Sequence, residues 1–288
     1  MSRFLDCRIQ SVGGELAASV ATIQATSLAN YASMRLDTFR DSIRGRHVLL
    51  VAHGFNVDRA DGIAHLSYWE SLLQLPQPSA FVGILWPGDS IWAHGLDYPD
   101  EPRIADNAGA LLATFIDANF QGAASISFAS HSLGARVVLQ TIARLSLPVR
   151  RVILMAPAID DNCLTTEFQA VAAKIATLTV LASKKDHVLS MAFPMGNFLA
   201  GIMDVGHPWW QAALGHCGPA QPWPANLQSP FEIPDDWDFQ HSDYLQIVPA
   251  ANFILPLPVD IPPQGTPPPA GNGWQEVFSS AFVSTRFR

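Results

Sequence analysis

The stretch Ile126 to Ala135, I-S-F-A-S-H-S-L-G-A, decides how the rest of the chain is read. A short apolar run stops at Ser132 and a helical pattern starts at once, as where a strand passes into a helix through a sharp turn. A side chain held on such a turn sits in strained backbone, so the positions two before and two after it must be small. Here they are Ser130 and Gly134. Ser132 is therefore a candidate nucleophile, although Ser130 departs from the first glycine of the usual G-x-S-x-G pattern.

Outward from that turn, H-V-L-L-V-A-H from His47 is a continuous apolar run ended by Gly54, which is how a strand buried on both faces reads. The same kind of run recurs at Phe81 to Trp86, Ile126 to Ser130, Val152 to Ala156 and Leu178 to Ala182. Helical patterns lie between them, at Ile63 to Leu73, Ile104 to Phe120 and Leu133 to Leu145. This alternation predicts an α/β fold, a doubly wound and mostly parallel sheet with helices on both faces. Ligands of such sheets gather at the carboxyl ends of the strands. About 20 residues, a short connection, separate V-I-L-M-A from the next strand, which excludes a large lid there.

Residues 1 to about 40 carry mixed signals, with Arg8 to Val12 reading as strand and Leu16 to Ile23 as strand or helix. The expected organisation is one domain over residues 1–250 with its core at 45–245. An aromatic-rich segment, 187–237, with Trp209, Trp210, Trp223 and Trp237, would cover the carboxyl edge of the sheet. Residues 251–273 are proline-rich and read as a linker or wrapping arm. In 274–288, Trp274, Val277, Phe278, Ala281 and Phe282 recur at helical spacing, giving an amphipathic tail that would dock on the body or join a homo-oligomer.

The chain of 288 residues is 49% hydrophobic, enough for a sizeable core. Its formal net charge is -8 and no Lys/Arg run exceeds two residues, so it lacks the electrostatic footprint a phosphate backbone requires and nucleic acid is excluded as main partner. Cys7, Cys163 and Cys217 are odd in number and contain no C-x-x-C, against a disulfide framework or structural zinc; they read as buried small apolar residues. There is no H-E-x-x-H, phosphate-binding glycine loop or nucleotide fingerprint, so no cofactor and no metal are expected. M-S-R-F-L-D-C-R lacks a long apolar segment, so no secretory signal is expected and a cytoplasmic location is. The most apolar window, Val188 to Met203, is interrupted by Pro194, Gly196 and Asn197; it falls short of a membrane span and reads as a buried or cleft-lining helix.

A serine hydroxyl is a poor nucleophile until a base takes its proton, and the base must itself be oriented by a third group. Asp186 follows the strand L-T-V-L-A through the polar turn S-K-K-D, at a carboxyl strand end two strands after the one carrying Ser132. Of the histidines downstream, His187 adjoins the acid, and neighbouring side chains point apart. His207 and His216 lie in the Trp-rich segment. His241, in F-Q-H-S-D-Y-L, is far enough along for another strand and helix to form before it; it is the preferred base, with His216 the alternative. Acyl transfer also needs N–H donors aimed at the developing oxyanion. One would be the amide of Leu133; the second would come from H-G-F-N, His53 to Asn56, where Gly54 lets the backbone turn, Phe55 presents its amide, and His53 reads as a buried core histidine.

The blocks V-L-L-V-A-H-G-F-N-V, G-I-L-W-P-G, I-S-F-A-S-H-S-L-G-A-R-V and L-T-V-L-A-S-K-K-D-H-V-L resemble the α/β hydrolases, particularly the group known as domain of unknown function 900, over residues 45 to 245. The resemblance implies an α/β-hydrolase fold and a serine hydrolase with Ser132, Asp186 and His241 as triad, since the group has S-x-x-D-x-x-L after the strand and H-x-x-Y at the histidine. The departures are Ser130 for the elbow glycine and Gly88 where W-P-S is more usual.

Any cover of the site must come from the Trp-rich segment or from Gly88 to Pro102, with Trp92, His94 and Tyr98. Both are aromatic rather than cationic, so the expected substrate is a small-molecule ester with a small to medium acyl group, contacted by Asn56, Trp86, Trp92, Tyr98, Trp209 and Trp210. The competing readings are a thioesterase, amidase or peptidase on the same triad, and a catalytically silent scaffold that binds through the proline-rich arm and tail.

Overall fold

The computed structural model describes residues 2–13, 15–27, 30–73, 75, 78–89, 101–191, 212–228 and 231–244. The apolar runs become β4 (His47–Ala52), β5 (Ser79–Leu85), β6 (Ser125–His131), β7 (Val149–Met155) and β8 (Ile175–Leu181). In β4, every residue after His47 is buried, because neighbours cover the strand on both faces. The helices α2 (Arg59–Leu72), α3 (Glu101–Asn119), α4 (Gly134–Arg144) and α5 (Gln169–Lys174) alternate with these strands. α3 packs closely on α4 at Gly109, where an added Cβ would lie 2.6 Å from Gln140 Cβ.

The N-terminal region corrects the sequence reading. Its first strand is β1 (Ser2–Arg8), the residues after it form a turn, and Arg8 to Val12 is not a strand. Two charged residues hid β1: Asp6 and Arg8 are buried and answered by Arg59 and Asp89. The ambiguous stretch is β2 (Leu16–Ser27), followed by β3 (Asn30–Ser33) and α1 (Leu36–Ile43). The eight strands run in the order β3-β2-β1-β5-β4-β6-β7-β8. All pairs from β1 to β8 across the sheet are parallel; β2 and β3 add an antiparallel edge beyond β1.

This order sets the ends of β4, β6 and β7 side by side, with Ala52 beside Ser130 and His131 beside Met155. The loops leaving those strands therefore meet. Between Met155 and Ile175 the chain holds turns, a single bridge from Asp160 to Ala213, and α5, so there is no large lid at that point.

After β8 the structure departs from expectation again. Among the described residues, no full strand precedes His241. Instead the chain runs parallel to β8 through single bridges, Leu178 to Leu227 and Ala182 to Glu232. A short helix (Leu214–Cys217) and a 3-10 turn (Asp235–Trp237) accompany it. The proline-rich segment 251–273, the tail 274–288, and most of Val188 to Met203 lie outside the described residues. Among the described residues, no helix is long and apolar enough to cross a membrane.

Candidate active site

Ser132 sits between β6 and α4 with φ 52°, a left-handed conformation that costs a non-glycine residue about 1–2 kcal/mol. Its N–H donates to Met155 O at 3.0 Å, which fastens the turn to the end of β7. Two glycines let the neighbouring backbones close on it. A Cβ at Gly134 would lie 2.3 Å from His53 O, so α4 can start against the end of β4 only with glycine there. A Cβ at Gly54 would lie 3.0 Å from both Ser132 Cβ and His131 Nδ1. The loop H-G-F-N thus packs directly on the serine. Ser130 is fully buried between Ala52 and Leu154, and its hydroxyl has no hydrogen-bond partner among the described residues.

Ser132 Oγ lies 3.0 Å from His241 Nε2, and His241 Nδ1 lies 2.7 Å from Asp186 Oδ2. The Asp186 carboxylate is fully buried, and its Oδ1 also accepts from Leu189 N–H at 2.9 Å, capping the helical residues 187–191. A carboxylate only accepts, so the neutral imidazole carries its proton on Nδ1 and offers the Nε2 lone pair to the serine hydroxyl. His216, the alternative base, lies on the short helix Leu214–Cys217, and its buried Nδ1 has no hydrogen-bond partner among the described residues.

His241 stands on irregular chain held by side chains to which the sequence alone assigns no role. Ser183 Oγ donates to Phe239 O at 2.6 Å, Gln240 N–H donates to Asp243 Oδ2 at 2.7 Å, and His131 Nε2 lies 2.7 Å from His241 O. Burial pushes the pKa of His131 down to about 3 and that of His53 likewise, so both rings are neutral. His131 could have been suspected from its place next to Ser132, and Ser183 from its place as the first residue of the S-x-x-D-x-x-L block.

On the other side of Ser132, Leu133 holds helical backbone (φ -65°, ψ -18°) directly before α4, so its N–H belongs to the helix-start donors that no intrahelical carbonyl can take. Phe55 is half-buried in the adjoining loop. That loop is fastened at three points. Trp86 Nε1 donates to His53 O at 2.8 Å, Asn56 N–H to Gly88 O at 2.6 Å, and Arg8 Nη1 to Val57 O at 3.1 Å. The Arg8 side chain is wholly buried; it also donates to Trp86 O at 3.0 Å and pairs with Asp89. A charged residue in an apolar strand carries no periodic signal, so Arg8 escaped the sequence reading.

These bonds give some of the expected substrate contacts another task. Trp86 is fully buried and stacked on the His53 ring at 5.8 Å, so it supports the loop and offers no face to a ligand. Asn56 is exposed, with φ 58°. Gly88 has a local reason to replace a serine, since a Cβ there would lie 2.5 Å from the Trp86 ring. Trp92, Tyr98, Trp209 and Trp210 lie outside the described residues. Cys7 and Cys163 are buried as expected, whereas Cys217 is exposed. Among the described residues, no three His, Cys, Asp or Glu side chains gather to hold a metal ion.

No curated protein matches the chain in sequence. Among solved structures, it is similar to esterase PE8 at 18% identity, covering 56% of this chain and 79% of that one, with a TM-score of 0.34. It is similar to acetyl xylan esterase 1 from Thermoanaerobacterium sp. JW/SL YS485 at 15% identity, covering 77% and 73%, with a TM-score of 0.38. A third likeness, at 13% identity, is to phospholipase PlaB from Legionella pneumophila, covering 49% of this chain and 38% of that one, with a TM-score of 0.30. A family model matches residues 31–208, more than half of the chain. With its mostly parallel sheet and a serine on the turn after β6, the chain belongs to the family described as alpha/beta hydrolase of unknown function (DUF900).

Proposed function

We propose that the protein is a serine hydrolase acting on carboxylic esters of small to medium acyl groups, with Ser132 as nucleophile, His241 as general base and Asp186 as the group that orients it. The observation that carries this reading is the unbroken hydrogen-bond chain from the buried Asp186 carboxylate through His241 to Ser132 Oγ. In the first step Ser132 Oγ attacks the ester carbonyl carbon while its proton passes to His241 Nε2. The carbonyl oxygen becomes an oxyanion, for which the Leu133 and Phe55 N–H groups are the proposed donors. Collapse of the tetrahedral intermediate breaks the bond to the alkoxy oxygen, which takes the proton from His241 and leaves as alcohol. Water then attacks the acyl-serine, His241 takes its proton, and the acid leaves as Ser132 recovers its hydrogen. Asp186 stays ionised and stabilises the imidazolium formed twice in the cycle.

The test is hydrolysis of acetyl and butyryl p-nitrophenyl esters beside matched thioesters and anilides. The proposal expects the short esters to be cleaved fastest, and Ser132→Ala to reduce kcat/KM by at least about 10³-fold. Long-chain esters as best substrates would overturn the acyl-size reading, and thioesters or anilides as best substrates would move the activity to another leaving group. A folded wild type that cleaves none of them would overturn the hydrolase reading.

A further inference from the structure

We infer that His131, the residue before the proposed nucleophile, is a positioning residue for the base: its imidazole N–H holds the backbone carbonyl of His241 and so sets the distance between His241 Nε2 and Ser132 Oγ. This rests on the hydrolase reading above and adds to it a group that touches neither substrate nor reacting atoms. His131 is the last residue of β6, paired beside Met155 of β7, so its backbone is held by the sheet. Its Nε2 lies 2.7 Å from His241 O, and a carbonyl can only accept, so Nε2 carries the proton and Nδ1 the lone pair. The two rings also pack, with centroids 4.7 Å apart and planes tilted by 50°, and the Tyr244 ring lies 6.1 Å from His131.

The need for such a tether follows from the chain around His241. Residues 238–244 contain turns and no helix or strand, so no ladder of backbone bonds holds the base. Ser183 fastens the segment at Phe239 and Asp243 fastens it at Gln240. Neither bond crosses to the strand that carries the serine. The bond from His131 does: it joins the base residue to the one next to Ser132 across 110 positions of sequence. Gly54 reinforces the placement, since a side chain there would strike His131 Nδ1 and Ser132 Cβ together.

The neutral state of the ring is part of the device. A cationic imidazole at this separation would oppose the imidazolium that His241 becomes during catalysis, whereas a neutral ring holds the carbonyl and adds no charge.

Two substitutions separate the hydrogen bond from the ring. In His131→Gln the side-chain amide nitrogen reaches about as far as Nε2 and keeps a donor; in His131→Phe the ring remains and the donor is lost. Steady-state kinetics on p-nitrophenyl butyrate, with circular dichroism and thermal unfolding to confirm the fold, give the readout. The inference expects His131→Phe to lower kcat on the order of 10- to 100-fold with KM changed less than about twofold, since misplacement of a reacting group by about 1 Å costs that much. It expects His131→Gln to restore kcat to within about threefold of wild type. A folded His131→Phe protein with wild-type kcat would overturn it, as would a glutamine variant as slow as the phenylalanine one. Should the phenylalanine variant not fold, the glutamine variant decides alone, a loss beyond about tenfold counting against the inference. Labelling of wild-type Ser132 by a fluorophosphonate distinguishes this failure from failure of the hydrolase reading, because only the latter leaves the wild type unlabelled.

Discussion

The two sides of Ser132 are built by different physics. On the side of the proposed oxyanion donors, the loop His53 to Val57 leaves the end of β4 and is held where atoms nearly touch, at Gly134 against His53 O and at Gly54 against Ser132 Cβ. Buried groups then close around it, with Trp86 on His53 O and Arg8 on Val57 O. On the side of the proposed base, His241 stands on irregular chain held by separate hydrogen bonds with Asp186, Ser183 and His131. Close packing resists small shifts because each shift meets an atom, whereas a hydrogen bond lost at a loop lets the group move at little cost. The oxyanion side should therefore fail through loss of stability, and the base side through loss of rate in a protein that stays folded.

The largest expected effect is on the base side. Asp186→Asn keeps a side-chain acceptor for Leu189 N–H but removes the charge facing His241 Nδ1. Its kcat should fall by about 10⁴-fold, while the melting temperature moves by only a few degrees. A comparable loss of stability would erase the contrast. Next comes Arg8→Met, which leaves the Asp89 carboxylate buried without its cation and the Val57 and Trp86 carbonyls without that donor. It should destabilise by about 3–5 kcal/mol in denaturant titration, with the residual folded protein retaining most of its kcat. Trp86→Phe keeps the aromatic packing and leaves His53 O without the indole donor, for a cost of about 1–3 kcal/mol by the same titration.

Measured per pH unit, the smallest effect is on pH dependence. His53 and His131 have native pKa values pushed down to about 3 by burial, below the usual 6.5. Between these values the unfolded chain binds more protons than the native one, so stability rises with pH; it is fully present above about pH 6.5 and is lost as pH falls toward 3. Each histidine contributes a slope of at most about 1.4 kcal/mol per pH unit. His131→Gln should flatten the stability profile below pH 6.5 by one such share, and an unchanged slope would contradict the buried neutral state.

The same contrast marks what could be read from the sequence. β4 to β8 were legible because strands buried on both faces are unbroken apolar runs, and the elbow because Ser132 follows one of them with Gly134 two positions on. Ser132, Asp186 and the loop at Phe55 could be placed because each stands at such a strand end. β1 was misread because Asp6 and Arg8 break its apolar pattern, and only distant partners make their burial tolerable. His241 could be preferred but not fixed over His216, since the chain before it touches β8 through single bridges and follows no period. Trp86 resembles a pocket wall in sequence; its burial is set by His53 and Gly88, which no local pattern announces.

Everything proposed for the chemistry turns on Ser132 being a nucleophile activated by His241 and Asp186. The most direct measurement is incubation of the folded protein with a fluorophosphonate probe, followed by mass spectrometry of the intact chain and its peptides. One adduct per chain is expected, on Ser132, absent in Ser132→Ala and formed at least about 10³-fold more slowly in His241→Ala. A folded wild type that takes up no probe, or carries it on another residue, would contradict it.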